Sequence, residues 1–149
     1  MIPANGYNPL RWDCQKRGCF NQKRRPKIEI FAECFPGRIN FGDVDGIVEI
    51  GGNALLLEWK SDARELPMGQ RILYERLTLS GSCSAMIIVG DAETMMVAAT
   101  SIFDRGLQYP AYGYEPANLP LIKNRLAAWS RWAAQHPSMH LQAIRGERS

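Results

Sequence analysis

"DVDGIVEIGGNALLLEWK", residues 43–60, decides the fold of this chain because it has the pattern of a β-hairpin. Apolar residues dominate on both sides of Gly51-Gly52, and a glycine pair is a favoured two-residue turn between antiparallel strands. The pattern predicts one strand over "DGIVEI" and a second over "NALLLEWK". Acidic residues and a lysine lie at the open end of the hairpin. They are either ordinary surface charges or the parts of a site.

The register of this hairpin determines which charges meet. With the glycine pair as the turn, Asp45 falls directly opposite Glu58, with Cβ atoms roughly 4.5–5.5 Å apart. Lys60 lies on the same face as Glu58, because strand side chains alternate between faces. A turn at Gly52-Asn53 would instead place Asp45 opposite Lys60, as a simple salt bridge. Turn chemistry favours the first register.

Two carboxylates directly opposite each other destabilise a sheet. A divalent cation between them removes this repulsion, and Mg²⁺ is typically held by one or two carboxylates together with waters and phosphate oxygens. We therefore interpret Asp45 and Glu58 as ligands of Mg²⁺ or Mn²⁺. Asp43 has the same strand parity as Asp45 and competes with it for this role, although the first register places Asp43 opposite Lys60.

The rest of the chain predicts an α/β domain. Pro26 begins a helix over "KIEIFAECF", and "RINF" forms a short strand before the hairpin. "QRILYERLTL" suits an amphipathic helix whose apolar face holds Ile72, Leu73, Leu77 and Leu79. "AMIIVG" is typical of a strand buried on both faces, and "ETMMVAATSIF" of a further strand. "LQYPAYGYEPANLP" is predicted to be loop, and "LPLIKNRLAAWSRWAAQ" a final helix with an apolar stripe.

The length of 149 residues, with 46% hydrophobic residues, is typical of one domain with a real core. We predict a single domain, residues 1–149, built on a small central mixed sheet flanked by helices. Its parts are a basic N-terminal segment (1–26), a core (27–103), and a loop with a C-terminal helix (104–149). The first residues lack the apolar core of a signal peptide, and the apolar runs are too short to span a bilayer. The expected protein is soluble and cytoplasmic.

Positive charge is concentrated near the N-terminus. Residues 11–38 hold eight Lys or Arg against three Asp or Glu, and also contain Trp12 and Phe20. A basic stretch with aromatic residues is what binding to a phosphate backbone requires. Arg24, Arg25 and Lys27 are the candidates for nucleic-acid binding. A solvated charged face is an equally good interpretation of the charges alone.

The four cysteines do not complete a metal site by their spacing. Cys14 and Cys19 are further apart than the usual zinc-knuckle pair, and no second close pair or nearby histidine supplies four ligands. We expect reduced thiols, as in a cytoplasmic protein. A zinc-ribbon-like nucleic-acid binder remains a minor hypothesis, which metal analysis of the purified protein would test.

The hairpin and the helix after it resemble a known superfamily. Asp45, followed by twelve residues and Glu58-Trp59-Lys60 on an apolar strand, resembles the PD-(D/E)XK phosphodiesterases. Gln70-Arg71-Ile72-Leu73-Tyr74 resembles the QxxxY motif of the RecB and lambda-exonuclease branch, while the small size is closer to Holliday-junction resolvases. The resemblance covers about residues 27–90 and suggests a small phage-type member. It implies a restriction-endonuclease-like αβββαβ core.

The resemblance also implies roles for individual residues. Asp45 and Glu58, helped by the backbone carbonyl of Trp59, would bind Mg²⁺ or Mn²⁺. Lys60 would orient the attacking water or stabilise charge on the phosphate in the transition state.

Further roles follow from the same likeness. Gln70 and Tyr74 would support the metal shell or contact a phosphate. The family often has a glutamate on its first helix, and here both Glu33 and Glu29 qualify as an additional acid. Asp43 is a third candidate for that role.

The function implied is a Mg²⁺-dependent DNA phosphodiester hydrolase, an endo- or exonuclease of phage or prophage DNA processing or recombination. Its partners would be DNA and either a second copy of the chain or a recombination or packaging protein, with no membrane involved. A phage-encoded protein would act in the host cytoplasm. The alternative is a non-catalytic module that keeps the nuclease fold and binds nucleic acid or protein.

Overall fold

The computed structural model describes residues 26–148 of the chain. The chain divides into two compact units, with the boundary between Asp43 and Val44. The described part of the first unit is residues 26–43, and the second unit carries the sheet. Arg24 and Arg25, predicted to bind nucleic acid, lie outside the described residues.

The helix predicted after Pro26 is shorter and tighter than expected. It is a 3₁₀ helix over Ile28–Cys34, and Phe31 and Phe35 each pack edge-on against Phe41 at 6.3 and 5.4 Å between ring centroids. None of its seven residues is buried, and so short a segment does not form a stable α-helix without packing. The strand predicted over "RINF" is not formed either. That stretch lies between two glycines, which disfavour strands.

Six strands form one mixed sheet in the second unit, so the architecture is α/β. The order across the sheet is β1-β2-β3-β4-β5, and β6 pairs with β4. β2 and β3 run parallel, and all the other pairs are antiparallel. The strands are β1 Gly46–Ile50, β2 Asn53–Lys60, β3 Cys83–Asp91, β4 Met96–Asp104, β5 Leu107–Tyr109 and β6 Glu115–Pro116. The helices are α1 Met68–Leu77, α2 Leu119–Gln135 and α3 Met139–Arg148.

The hairpin formed by β1 and β2 has the first of the two registers. Its pairs run from Ile50 opposite Asn53 to Gly46 opposite Leu57. Both turn glycines have positive φ, 62° and 83°, as a two-residue turn that matches the twist of the strands requires. The alternative register, with a turn at Gly52-Asn53 and Asp45 opposite Lys60, is therefore excluded.

Helix α1 covers one face of the sheet, but not through its leucines. Leu73 and Leu77 are 48% and 45% exposed, and Leu79, beyond the helix end, is 65% exposed, so the predicted apolar face is wrong. The buried positions are Tyr74 and Thr78, one helical turn apart. The helix therefore rests on the sheet through Tyr74, and Thr78, which caps its end, is buried as well.

Helix α2 covers the other face with the stripe that the sequence predicts. Ile122 and Ala133 are buried, and Leu126 and Trp129 pack against the same core. The sheet residues beneath this helix are Leu55, Met86 and Ile88.

The segment predicted to be a loop followed by one C-terminal helix contains additional strands and a second helix. It holds the short strands β5 and β6 and a second helix, α3. Strands of three and two residues are too short to show an alternating pattern. Within residues 26–148, no helix is long and apolar enough to cross a membrane.

Candidate hydrolytic site on the α1 face of the sheet

The side chain of Glu58 is the centre of a cluster of contacts near the end of β2. Gln70 Nε2 donates to its Oε1 at 3.1 Å, and the Tyr74 hydroxyl donates to its Oε2 at 3.3 Å. Lys60 Nζ lies 3.5 Å from Oε1. The Glu58 side chain is only 15% exposed, so these contacts are partly shielded from water. One carboxylate thus meets three groups that the sequence places at the site.

Asp45 lies just beyond the last pair of the hairpin. Its Oδ2 accepts a hydrogen bond of 2.6 Å from the backbone N–H of Trp59. The carboxylate therefore takes the place of a strand carbonyl and extends the ladder by one bond. The N–H and C=O of one strand residue point the same way, so the Trp59 carbonyl is directed towards the edge that Asp45 occupies.

Asp45 lies near the groups that contact Glu58. The hairpin ladder ends at Gly46 opposite Leu57, and the charge of Asp45 helps to raise the pKa of the Tyr74 hydroxyl, which donates to Glu58. Leu56, two residues before Glu58, packs with the α1 residue Tyr74. Glu58 therefore lies on the side of the sheet that α1 covers.

Tyr74 is both a core residue and a member of the site. Its ring is 6% exposed and lies 5.5 Å from the ring of Phe103. Burial raises the pKa of the Tyr74 hydroxyl well above its ordinary value, and the charge of Glu58 and the hydrogen bond to it raise this pKa further. Tyr74 therefore stays protonated and acts only as a hydrogen-bond donor to Glu58 near neutral pH.

Gln70 turns its amide nitrogen to Glu58, as it must, because an amide oxygen facing a carboxylate would bring two acceptors together. Its Oε1 is consequently directed elsewhere. That oxygen is buried and accepts no hydrogen bond from the described part of the chain. A buried acceptor without a partner is costly, and such an atom commonly serves a bound water or ion.

The donors gathered here fit Mg²⁺ or Mn²⁺. Asp45 and Glu58 supply carboxylate oxygens, and the backbone carbonyl of Trp59 supplies a neutral one, all hard ligands that suit these ions. Among the residues that the structure describes, no three His, Cys, Asp or Glu side chains come together. Two carboxylates with the remaining positions left to waters and phosphate oxygens is a normal arrangement for Mg²⁺.

The other predicted acids and cations lie in the first unit of the chain. Glu29, Glu33, Lys27 and Asp43 belong to the first unit, which is described by itself. The hairpin ladder does not reach Asp43, so the predicted pairing of Asp43 with Lys60 is absent from it. Their proposed roles in metal and nucleic-acid binding stay predictions.

A separate cavity of about 180 Å³ lies on the opposite face of the sheet, between α2 and the strands. Leu55, Met86 and Trp129 line it, with Asp104 and Arg125 as its charged residues. Because Leu55 and Glu58 are on opposite faces of β2, this cavity is not part of the Glu58 cluster.

Sequence reasoning missed an aromatic contact beside the cluster. The Arg71 guanidinium carbon lies 4.7 Å from the centroid of the Tyr112 ring. Tyr112 comes from the segment predicted to be loop. The tyrosines of that segment were the available signal in the sequence that it makes aromatic contacts. The contact joins residues far apart in the chain, which no periodic pattern reveals.

Comparison of the chain with families of proteins, with characterised proteins and with solved structures found no match in any of the three.

Proposed function

We propose that this protein is a Mg²⁺-dependent DNA phosphodiester hydrolase of the PD-(D/E)XK type, acting in phage or prophage DNA processing or recombination. The observation that carries the proposal is the set of contacts around Glu58. Lys60, Gln70 and Tyr74 reach its carboxylate from two elements, and Asp45 bonds to the backbone of Trp59, the residue after Glu58. A hairpin that served only to hold the sheet would not need this set.

In this proposal Asp45 and Glu58 hold the metal ion, together with the Trp59 carbonyl. Bound Mg²⁺ or Mn²⁺ polarises the scissile phosphate and lowers the pKa of an attacking water. The hydrogen bond from the Trp59 N–H fixes one oxygen of Asp45, so its other oxygen is presented in a defined direction.

The remaining residues orient these groups. Gln70 and Tyr74 fix both oxygens of Glu58, as the outer partners of a metal ligand do. Lys60, 28% exposed, carries the positive charge that stabilises the phosphate as negative charge builds up in the transition state. The Lys60 ammonium lies 3.5 Å from Glu58 Oε1, beside a proposed ligand of the metal ion.

A restriction-endonuclease-like core belongs to the same proposal. The hairpin β1-β2, helix α1 and the strand β3 parallel to β2 follow the order that this core has after its first strand. The first strand of the αβββαβ pattern is the departure, because "RINF" is not a strand.

The test is a cleavage assay on linear, circular, single-stranded and branched DNA, with Mg²⁺, with Mn²⁺ and with chelator. Wild type should cut in the presence of either metal ion, and the chelator should stop it. Asp45→Asn and Glu58→Gln should each reduce the rate by about a hundredfold or more, because each removes a charged ligand. The pattern of substrates cut distinguishes an endonuclease from an exonuclease.

The matched control is Asp62→Asn, which neutralises an exposed acid four residues after Glu58 in the sequence, whose partner is Arg64. It should keep the wild-type rate. If wild type leaves every substrate intact but binds DNA as well as its variants do, the hydrolase proposal is wrong and a binding module is the better account.

A further inference from the structure

Tyr112 lies in a backbone conformation that a tyrosine rarely adopts. Its φ is +58°, and the hydrogen bond of 3.2 Å from Gly113 N to Pro110 O makes it the third residue of a β-turn. Positive φ at this position is usual for glycine and is strained for a bulky side chain. A glycine would make the same turn without strain, so the turn itself gives no reason for an aromatic ring here.

The ring has one covered face and one open face. Arg71 lies over it at 4.7 Å, while Tyr112 as a whole remains 64% exposed. Arg71 is itself held by Glu65 at 2.9 Å and by Glu75 at 3.9 Å. The guanidinium is therefore a fixed support behind the ring, and the opposite side of the ring faces solvent.

The turn that carries Tyr112 is anchored at both ends. Gln108 Nε2 donates to the Gly113 carbonyl at 3.3 Å, and the Tyr114 hydroxyl donates to the Arg64 carbonyl at 3.1 Å. The ring is thus held in place before anything binds, which lowers the entropy cost of binding.

The position of this ring relates it to the Glu58 cluster. Arg71, which supports the ring, directly follows Gln70, whose amide contacts Glu58. Arg64, which Tyr114 contacts, lies in the loop that leads from Lys60 to α1. Helix α1 therefore contacts both the ring and the Glu58 carboxylate, and the turn that carries the ring is held by the loop that begins after Lys60.

From these observations we infer that Tyr112 is a stacking platform for an unpaired nucleobase of the DNA strand that enters the Glu58 cluster. The inference rests on the proposed function for the identity of the polymer. Every base has a π-face, so stacking on tyrosine accepts any sequence. Bases inside a duplex are already stacked on both faces, so the ring selects single strands, overhangs and frayed ends over closed duplex.

The experiment measures binding in chelator, where no cleavage occurs, by fluorescence anisotropy of labelled DNA. The probes are a single strand, a duplex with an overhang, and a relaxed, covalently closed circular duplex, which has neither free ends nor unpaired bases. Tyr112→Ala and Tyr112→Leu should bind the first two about 5- to 100-fold more weakly than wild type, as loss of one stacked base predicts. Tyr112→Phe keeps the ring and should bind within about twofold of wild type.

Tyr109→Ala is the matched control, because Tyr109 is 55% exposed on the adjoining strand β5. It should bind all probes as wild type does, and circular dichroism should show that every variant is folded. Equal affinity of Tyr112→Ala and wild type for the single strand would overturn the inference. So would the same loss for the closed duplex as for the single strand. The result is independent of whether the protein cleaves DNA, so the hydrolase proposal succeeds or fails separately.

Discussion

At the residue scale, the Tyr74 hydroxyl links the core to the site, and its raised pKa gives a pH test. In the unfolded chain a tyrosine loses its proton near pH 10, whereas burial and Glu58 keep the proton on Tyr74 in the folded protein. The folded state then binds more protons than the unfolded one, so this stabilisation is complete below the unfolded pKa and is lost as pH rises towards the folded pKa.

We therefore predict that the stability difference between wild type and Tyr74→Phe shrinks in alkali. Between about pH 9 and pH 11, wild type should lose about 1 kcal/mol more unfolding free energy than Tyr74→Phe. Urea unfolding followed by circular dichroism measures this. Tyr109→Phe, which removes an exposed hydroxyl, should follow wild type. Parallel pH curves for wild type and Tyr74→Phe would contradict the role given to Tyr74.

Individual contacts of the site differ in how far the sequence could predict them. Strand alternation places Lys60 beside Glu58, and the four-residue spacing of Gln70 and Tyr74 places both on one side of a helix. That both would reach the same carboxylate follows only from how α1 lies on the sheet. The contact of Arg71 with Tyr112 could not be predicted, because a turn distant in sequence brings it about.

At the element scale, the turn of the β1-β2 hairpin is docked on the end of α2. The buried side chain of Asn53 donates to the carbonyls of His136 at 2.8 Å and Ala133 at 3.3 Å, and Ser138 N donates to the Gly51 carbonyl at 2.8 Å. Carbonyls at the end of a helix lack partners within it, so Asn53 supplies what the helix itself cannot.

This docking predicts that Asn53→Ala is destabilising. It removes two hydrogen bonds at a position 2% exposed, and should cost about 1–3 kcal/mol of unfolding free energy. Asn53→Asp should cost more, because it turns a carboxylate towards carbonyl oxygens. Asn124→Ala, on the exposed side of α2, is the control and should change stability by less than about 0.5 kcal/mol. An Asn53→Ala protein as stable as this control would show that the docking contributes little.

Elements were predicted well where the pattern was long and periodic. The hairpin, β3, β4 and α2 have runs of apolar residues with clear turn signals, and each forms as expected. The segment Ile28–Cys34 differs because it is short and none of its residues is buried. The leucines of α1 differ because Tyr74, and not a leucine, is the residue of this helix that is buried against the sheet.

At the scale of the whole molecule, basic charge and the proposed site lie in different parts of the chain. Residues 11–38 carry the excess of Lys and Arg, whereas the Glu58 cluster lies in the second unit. In the proposed function the basic stretch supplies sequence-independent attraction to phosphates, and the second unit supplies the chemistry.

This division predicts a particular salt dependence of DNA binding in chelator. Replacing Arg24 and Arg25 together by alanine should lower the slope of log affinity against log salt by about 2 for duplex DNA, since each lost phosphate contact removes about 0.9. Lys123→Ala combined with Arg131→Ala, two exposed charges on α2, should leave the slope unchanged. If the slope falls equally in both double variants, the N-terminal stretch has no special part in binding DNA.

The fold class follows from the order of elements in the sequence, because a hairpin followed by a helix and a buried strand leads to a mixed sheet. The positions of β5 and β6 could not be predicted from the sequence. Strands this short are defined by their pairing with β4 and not by a pattern in their own residues. The division at Asp43 and Val44 has no strong signal in composition either.

The most direct test of the central claim is the single-turnover rate of Mg²⁺-dependent DNA cleavage by wild type and Lys60→Ala, with Lys123→Ala as the control. Lys60 contacts Glu58 but is not proposed to hold the metal ion. The rate of Lys60→Ala should fall by about a hundredfold or more, while the Mg²⁺ concentration needed for half the maximal rate changes by less than about threefold. An unchanged rate in Lys60→Ala, or wild type without metal-dependent cleavage of any DNA, would contradict the account.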